Sequence, residues 1–197
     1  MITPTQPRRT LLRAEMIERT IARMAHQIVE PESAQDGVLL IGIRRGGEAL
    51  VQRLASQIAQ ITGKAPKIGY LNVQLYRDDD VMREIPETEV YDDVTNREVV
   101  VVDDVLYTGR TVRSALDAVT DLGRPRAVRL AVLIDRGLRE LPIQPDYVGR
   151  YVPTSRREHI EVHLSPSPAP DDAVSITSVH AADDASPNVP SEDDGAP

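Results

Sequence analysis

The Val99–Thr111 stretch constrains the fold of this chain more than any other segment. It opens with four consecutive valines, Val99 to Val102, and such a run is typical of a strand buried on both faces of a parallel sheet. Asp103 and Asp104 follow directly, at the point where such a strand would end. A hydroxyl-rich turn at residues 107–111 then leads into apolar residues at helical spacing. This order predicts an anion site, because a helix N-terminus and the amides of a tight turn bind phosphate well.

The rest of the chain alternates predicted strands with predicted helices. Apolar residues at helical spacing predict helices at residues 12–29, 50–61 and 111–122. Apolar or alternating patterns predict strands at residues 38–43, 68–75 and 128–134, and two shorter strands near residues 147–152 and 160–164. Strands that alternate with helices imply an α/β fold, in which a mostly parallel sheet is covered by helices on both faces.

Composition divides the chain into one domain and two ends. A length of 197 residues suits a single core. Residues 165–197 are rich in Pro, Ser, Ala and Asp and hold seven acidic residues but no Lys or Arg, so without them the net charge of −8 becomes −1. We expect a loose leader at residues 1–10, a domain at residues 11–165 and a disordered acidic tail at residues 166–197. We expect the short apolar stretch Val174–Ile176 to be too small to hold a part of this tail in place.

The sequence disfavours several classes of protein. Without cysteine the chain has no disulfide, no thiol nucleophile and no thiolate metal site, and it shows no His/Cys cluster for an all-protein metal cage. The Gly-x-x-x-x-Gly-Lys-Ser/Thr loop of nucleotide triphosphatases is absent. No apolar run approaches the roughly 20 residues of a membrane span, and residues 1–10 do not resemble a secretory signal. We therefore expect a cytoplasmic protein that has no membrane partner.

Three predicted strand ends carry groups that suit a phosphorylated ligand. They are Arg44–Gly47, Asp103–Thr111 and Asp135–Gly137, and in parallel α/β sheets ligands bind at such ends. The first can cradle a diphosphate, because its glycines let backbone amides approach and its arginines balance charge. The second can bind a monophosphate and, through its carboxylates, a sugar diol or a hydrated Mg²⁺. Together they suit a sugar that bears phosphate at one end and pyrophosphate at the other.

Each of these features also has a purely structural explanation, which the sequence leaves open. The Asp103–Asp104 pair could consist of loop and capping residues for the following helix. The Arg44–Arg45 pair could form a solvated turn, and Arg136 could belong to a structural ion pair. His26 lies in a predicted helix and could be a surface or packing residue.

The joint pattern resembles a known family. Residues 99–111 resemble the phosphoribosyl diphosphate (PRPP) signature of type I phosphoribosyltransferases, which is an apolar strand, two acids and a hydroxyl-rich loop. More narrowly, residues 103–111 resemble the form found in the PyrR family of bifunctional pyrimidine operon regulators and uracil phosphoribosyltransferases. The resemblance extends over residues 75–79, 133–143 and 152–155, and it covers roughly residues 13–164. It implies the type I phosphoribosyltransferase fold, a central mostly parallel sheet flanked by helices, with a flexible lid and a small hood.

The resemblance also implies roles for individual residues. Thr108–Thr111 would hold the 5-phosphate, and the implied catalytic residues Asp103 and Asp104 would contact the ribose hydroxyls. The implied set of PRPP- or UMP-binding residues is Arg44, Arg45, Asp103, Asp104, Val105, Leu106, Tyr107, Thr108, Gly109, Arg110 and Thr111. The implied uracil pocket includes Arg136 and Ile160, and the implied lid begins at Arg77 and includes Arg83. Mg²⁺ would arrive with PRPP, and the protein alone would hold no metal.

The activity implied by the resemblance is transfer of phosphoribose from PRPP to uracil, which gives UMP and diphosphate. The same resemblance implies regulation of pyrimidine genes by transcription attenuation, through UMP-dependent binding of an operon leader RNA. Residues that could contact this RNA are Arg19, Arg23, His26, Arg139 and Arg150. Two alternatives are a uracil phosphoribosyltransferase that binds no RNA and a nucleotide-sensing RNA regulator with little catalysis. The family also implies a homo-oligomer, a dimer or larger.

One feature of this chain differs from the purine phosphoribosyltransferases, and another differs from the usual PyrR pattern. Purine phosphoribosyltransferases place a lysine in the base pocket, whereas Lys64 and Lys67 are the only lysines here and lie between the second helix and the third strand. The pyrophosphate loop of the PyrR family usually carries an arginine before its last glycine, and this chain has Gly46 at that position.

Overall fold

The computed structural model describes residues 8–31, 37–73 and 88–178, and these form eight strands and three helices. The elements in chain order are β1 (Arg8–Arg13), α1 (Ala14–Val29), β2 (Val38–Ile43), α2 (Gly47–Thr62), β3 (Lys67–Leu71), β4 (Glu98–Leu106), α3 (Arg110–Leu122), β5 (Ala127–Asp135), β6 (Tyr147–Tyr151), β7 (Glu158–His163) and β8 (Ala173–Ser178). Within the described ranges, none of the helices is both long enough and apolar enough to cross a membrane.

Five strands form the central sheet in the order β3-β2-β4-β5-β6, and every neighbouring pair is parallel. The valine strand β4 lies in the middle, and Val99, Val100, Val101 and Val102 are fully buried. Val100 and Val102 pack in the core on the side of α1 and α2, whereas Val99 and Val101 pack on the side of α3. Because successive side chains of a strand point to opposite faces, one run of valines supplies both layers of the core. The predicted α/β fold is confirmed.

The predicted strand ends need small corrections. β3 ends at Leu71 instead of residue 75. β4 continues through Asp103 and Asp104 to Leu106, because its pairing with β5 extends as far as Asp135. The carboxylates therefore lie on the last residues of a paired strand and not in a loop after it. A paired strand fixes their backbone more firmly than a loop would.

A second, antiparallel sheet has the order β1-β8-β7 and corresponds to the expected hood. Its middle strand β8 lies inside the predicted disordered tail, and residues 8–10 of the predicted leader belong to β1. The expected boundaries at residues 10 and 165 are therefore wrong. Val174 and Ile176 are too few to fold alone, but each is at least 95% buried here because β8 pairs on both sides. Residues 1–7 and 179–197 lie outside the described ranges.

A buried ion pair attaches the chain segment before β8 to the central domain. Arg53 on α2 donates hydrogen bonds to Asp172 Oδ2 (2.8 Å) and to the Ser165 carbonyl (3.1 Å), and it also pairs with Glu18 on α1. Although burial alone would raise the pKa of Asp172, hydrogen bonds from Arg53 and from the Ser165 and Ala169 amides hold that pKa below its ordinary value. The charged form of the pair is therefore the stable one.

Candidate active site

The ends of β2, β4 and β5 lie side by side at one edge of the central sheet. The predicted diphosphate loop after β2 is in close contact with the end of β4. The loop after β2 approaches β4 so closely that a Cβ atom on Gly47 would overlap the Val102 carbonyl. A Cβ atom on Gly46 would lie 2.5 Å from Asp104 Oδ1 and 2.9 Å from Asp103 Oδ1. The predicted diphosphate loop therefore lies directly against the predicted catalytic carboxylates.

Asp103 and Asp104 form a desolvated carboxylate pair. Asp103 is 6% exposed, and its Oδ1 atom accepts a hydrogen bond from the Asp104 amide at 3.0 Å. Asp104 Oδ1 in turn accepts one from the Val105 amide at 2.7 Å. Burial, together with the neighbouring Asp104 carboxylate, raises the pKa of Asp103 well above its ordinary value, and burial also raises the pKa of Asp104. A ligand that brings hydroxyl donors or a cation to this pair would relieve the repulsion.

The 107–111 turn leads from the carboxylate pair into α3. Gly109 precedes the helix in a left-handed conformation (φ 93°) and has no side chain to cap it, and the Thr108 hydroxyl accepts a long hydrogen bond (3.4 Å) from the Arg110 amide. The first turn also carries no acidic residue. Helix N-terminal amides and the positive end of the helix dipole are thus available to a phosphate, with the Thr108 and Thr111 hydroxyls beside them.

A loop after β5, residues 137–143, supports this turn from outside. The Thr108 carbonyl accepts hydrogen bonds from the Glu140 amide (3.0 Å) and the Leu141 amide (3.3 Å). Arg110 forms an ion pair with Glu140 at 2.9 Å. Arg139 donates to the Tyr107 carbonyl at 2.9 Å and contacts Asp135 at 2.6 Å. The guanidinium of Arg139, expected from the family to face RNA, is thus engaged in holding this loop and turn.

Arg136 and Ile160, the expected uracil-pocket residues, are both about 5% exposed. The Arg136 guanidinium donates to Thr154 Oγ1 (2.8 Å), the Ser155 carbonyl (3.0 Å) and the Glu158 carbonyl (2.6 Å). It also stacks on the Tyr107 ring, 4.2 Å from the ring centroid. Ile160 packs in the core on the α1 side of the sheet. Both side chains are therefore largely buried, and their expected place in the uracil pocket stays a prediction.

The two arginines of the loop after β2 have different surroundings. Arg44 forms ion pairs with Glu48 (2.8 Å) and Glu89 (2.7 Å) and lies over the Tyr70 ring. Arg45 is exposed and has a left-handed backbone (φ 76°), and its amide donates to Glu48. Arg45 therefore has the more accessible guanidinium for a diphosphate. The sequence could not indicate Glu89 as a partner of Arg44, because it follows 45 positions later in a segment without periodicity.

The remaining predicted residues lie in several places. Val105 is half-buried and Leu106 is buried at the end of β4. The lid residues Arg77 and Arg83 fall outside the described ranges. On α1, Arg19, Arg23 and His26 are exposed, and Arg23 also donates to the Val148 and Gly149 carbonyls of β6. Arg150 on β6 is exposed and donates to the Leu11 carbonyl. Four of the five residues expected at an RNA surface thus lie on two adjacent elements.

Comparison with known proteins agrees with this geometry. The family described as "Phosphoribosyl transferase domain" matches residues 8–167. A hypoxanthine phosphoribosyltransferase of Staphylococcus aureus has a TM-score of 0.65 at 18% identity, over 88% of this chain and 93% of that chain. The hypoxanthine phosphoribosyltransferase of Trypanosoma cruzi gives 0.66 at 18% identity, over 87% and 97%. At this identity the solved structures establish the fold alone. Fold and family together define the chain as a member of the phosphoribosyltransferases.

More similar relatives identify the branch of that class. The bifunctional protein PyrR of Bacillus mycoides (strain KBAB4) is 47% identical over 165 residues, which cover 81% of this chain and 92% of the relative. The bifunctional protein PyrR of Bacillus cereus (strain B4264) gives the same values. The chain belongs to the PyrR family, and the family expected from the sequence is confirmed.

Proposed function

We propose that this protein transfers phosphoribose from PRPP to uracil, producing UMP and diphosphate. One observation carries the proposal: a carboxylate pair, with Asp103 buried and Asp104 partly buried, lies between a diphosphate-type loop (Gly46–Gly47) and the N-terminus of α3, which begins after Gly109, at one sheet edge. PRPP has a diphosphate, a diol and a phosphate in the corresponding order. Membership of the PyrR family supports uracil as the acceptor base.

The reaction separates charge, and the site has groups that can stabilise the positive and the negative charge that develop. Uracil N1 forms a bond to ribose C1 as the C1–oxygen bond breaks, and the bonding electron pair leaves with diphosphate while the N1 proton passes to solvent. Positive charge develops on the sugar ring, which the Asp103 and Asp104 carboxylates can stabilise. Negative charge grows on the leaving diphosphate, near the amides of the loop after β2 and the Arg45 guanidinium. These fixed groups favour the transition state over the bound substrate.

The carboxylate pair also fits the Mg²⁺ that the family uses with PRPP. Among the described residues no group of three or more His, Asp or Glu side chains could hold a metal ion, so the protein offers an incomplete site. Asp103 and Asp104 provide two oxygen-rich side chains whose desolvated charges favour a nearby cation. When bound with PRPP, Mg²⁺ would neutralise part of the diphosphate charge. In its absence the two aspartates would still contact the ribose hydroxyls.

A base panel tests this proposal directly. Protein, PRPP, Mg²⁺ and labelled uracil should yield UMP, whereas hypoxanthine and orotate in place of uracil should yield far less nucleotide. The Asp103→Asn/Asp104→Asn variant should lose about 100-fold or more in kcat/KM, because the fixed negative charge at the sugar is removed. Retention of its cooperative thermal unfolding would exclude misfolding as the cause. Absence of UMP with the native chain would contradict the proposal.

A second proposed function is UMP-dependent binding of a pyrimidine operon leader RNA. The exposed basic residues Arg19, Arg23 and His26 on α1, next to Arg150 on β6, support it, since clustered cations on one surface favour a phosphate backbone. UMP should strengthen binding to a leader hairpin but not to a scrambled RNA, and salt should weaken it. Arg19→Ala should reduce the affinity, whereas Arg113→Ala, on α3 at the opposite face of the sheet, should not. Equal affinity for scrambled RNA would contradict this function.

Two further properties complete the proposal. We infer a cytoplasmic location and association into a dimer or larger homo-oligomer. Light scattering of the purified chain measures the oligomeric state, and a strictly monomeric mass would contradict that inference.

A further inference from the structure

Arg136 links two parts of the proposed substrate site, the 107–111 turn and the loop between β6 and β7. Its guanidinium donates three hydrogen bonds to Thr154, Ser155 and Glu158, at the start of β7 and in the loop before it. Its flat face lies 4.2 Å from the centre of the Tyr107 ring, which belongs to the 107–111 turn. A planar guanidinium can donate several hydrogen bonds in its plane while its face contacts a ring, and a compact ammonium group cannot reproduce this arrangement.

Arg139 serves only one of these two ends. Its Nη1 atom donates to the carbonyls of Tyr107 (2.9 Å) and Gly137 (3.2 Å). Its Nε atom donates to the Ile143 carbonyl at 3.0 Å, and its Nη2 atom contacts Asp135 at 2.6 Å. These bonds fix the 137–143 loop against the backbone of the 107–111 turn, on the phosphate side of the site.

Alignment of the two ends has a large effect on a two-substrate reaction. In the proposed reaction the phosphate of the ribose lies at the 107–111 turn, and we place the base on the side of the β6–β7 loop, which Arg136, the expected uracil-pocket residue, binds. A displacement of about 1 Å between reacting atoms can cost about 100-fold in rate. The side chain that sets the distance between these two loops therefore controls the reaction geometry.

We propose that Arg136 is a positioning residue that holds the base side of the site in register with the phosphate side, and that Arg139 is a positioning residue for the phosphate side alone. This inference rests on the proposed function, since it assumes a ligand that spans both sides. Neither arginine is a catalytic residue, because each acts through the loops that it joins.

Two ligands separate these roles without any catalytic turnover. Ribose 5-phosphate occupies the phosphate side only, and UMP occupies both sides. Arg136→Lys should weaken UMP about tenfold and ribose 5-phosphate less than twofold, measured by calorimetry. Arg139→Lys should weaken both ligands by similar factors, about three- to tenfold. Arg129→Lys, at the far end of β5 with its own partner Asp146, is the matched control and should change neither.

A second variant guards against misfolding. Thr154→Val removes one acceptor of Arg136 and leaves the arginine in place, so it should repeat the pattern of Arg136→Lys more weakly while thermal unfolding stays cooperative. In the transfer assay, Arg136→Lys should lower kcat more than it raises the KM for PRPP, and a larger share of PRPP should be lost to water instead of uracil.

The outcomes distinguish the two levels of inference. Equal losses of UMP and ribose 5-phosphate affinity in Arg136→Lys, or no loss in either arginine variant, would overturn the assigned roles. If the native chain binds UMP with the expected pattern but makes none from uracil and PRPP, the proposed enzyme activity fails and the positioning roles stand. If the native chain binds neither ligand, both inferences fail.

Discussion

At the scale of single residues, the close approach of Gly46 to the carboxylate pair is a tight constraint on the site. The loop after β2 lies against β4 with the Gly46 Cα close to both carboxylates. A side chain at this position must displace Asp103 or Asp104 from its present orientation. The lack of a side chain at Gly46 therefore lets both carboxylates keep their present orientation.

Gly46→Ala tests this close approach. The added Cβ atom would meet Asp104 Oδ1 at 2.5 Å, so the carboxylates must rotate, and the hydrogen bonds that orient them are lost. We expect the KM for PRPP to rise about tenfold, which corresponds to about 1.4 kcal/mol. Gly63→Ala is the control, because nothing lies within 4 Å of its added Cβ and its left-handed φ of 73° strains only the end of α2. That variant should melt earlier and keep its KM; an unchanged KM in Gly46→Ala would contradict the prediction.

Asp103→Asn should make the protein more stable and less active. Because burial and the Asp104 charge raise the pKa of Asp103, the folded state holds its proton at higher pH than the unfolded chain does. Stability therefore falls as pH rises from about 4 through the folded-state pKa, and the neutral amide avoids this loss. At pH 7 we expect the Tm to rise by roughly 2–4 °C, the shift that about 1 kcal/mol produces in a chain of this size.

Thermal melts of the native chain and the variant between pH 4 and pH 8 measure this effect. The difference in Tm should shrink toward pH 4, where the aspartate is protonated in both states. Asp117→Asn, an exposed position on α3, is the control and should shift the Tm very little. A variant less stable than the native chain at every pH would contradict the prediction.

At the scale of elements, patterns within one segment were predictable and pairings between distant segments were not. The run Val99–Val102 determined a central strand by itself, since only a parallel sheet buries both of its faces. The turn and helix after Asp104 were predictable for the same reason, because order along the chain carries the information. The partners of Arg44, Arg136 and Arg139 lie in other segments of the chain, so no local sequence pattern predicts these contacts.

The segment before β8 contains another pairing between distant segments that the sequence did not predict, and this one affects stability. Asp172 looked like one acid among many in a polar stretch, yet it is 2% exposed and pairs with the buried Arg53. Asp172→Ala should destabilise the fold by about 2–3 kcal/mol, because the buried guanidinium loses one of its two carboxylate partners and the Ser165 and Ala169 amides lose their acceptor. Its neighbour Asp171 is largely exposed, so Asp171→Ala is the matched control and should cost less than about 1 kcal/mol.

Urea unfolding of the two variants at pH 7 measures this difference. The lowered pKa of Asp172 adds a pH signature, since its stabilisation is present at neutral pH and is lost as pH falls through the folded-state pKa below its usual range. The gap between native chain and Asp172→Ala should therefore narrow in acid. Similar losses in the free energy of unfolding for Asp172→Ala and Asp171→Ala would show that the buried ion pair stabilises the fold no more than the exposed one.

At the scale of the whole molecule, the small sheet joins both ends of the described chain. β1 comes from the beginning, β8 from the end, and β8 lies between β1 and β7. Arg150 on β6 also donates to the Leu11 carbonyl of β1, which links this sheet to the edge of the central one. The hood therefore depends on residues that the composition had assigned to a tail.

Two truncated chains test that dependence. A chain that ends at Ser178 should keep the Tm and the UMP affinity of the full chain, because it retains every strand of both sheets. A chain that ends at Pro170 loses β8 and Asp172, so Arg53 loses an ion-pair partner. The residues that pack against Val174 and Ile176 become exposed, and β1 and β7 no longer have a strand between them. Loss of two buried aliphatic side chains and one buried ion-pair partner predicts a destabilisation of about 5 kcal/mol or more. Since Arg136 binds the start of β7, the UMP affinity of this chain should fall together with its stability. A chain that ends at Pro170 and keeps the Tm and the UMP affinity of the full chain would show that β8 is dispensable.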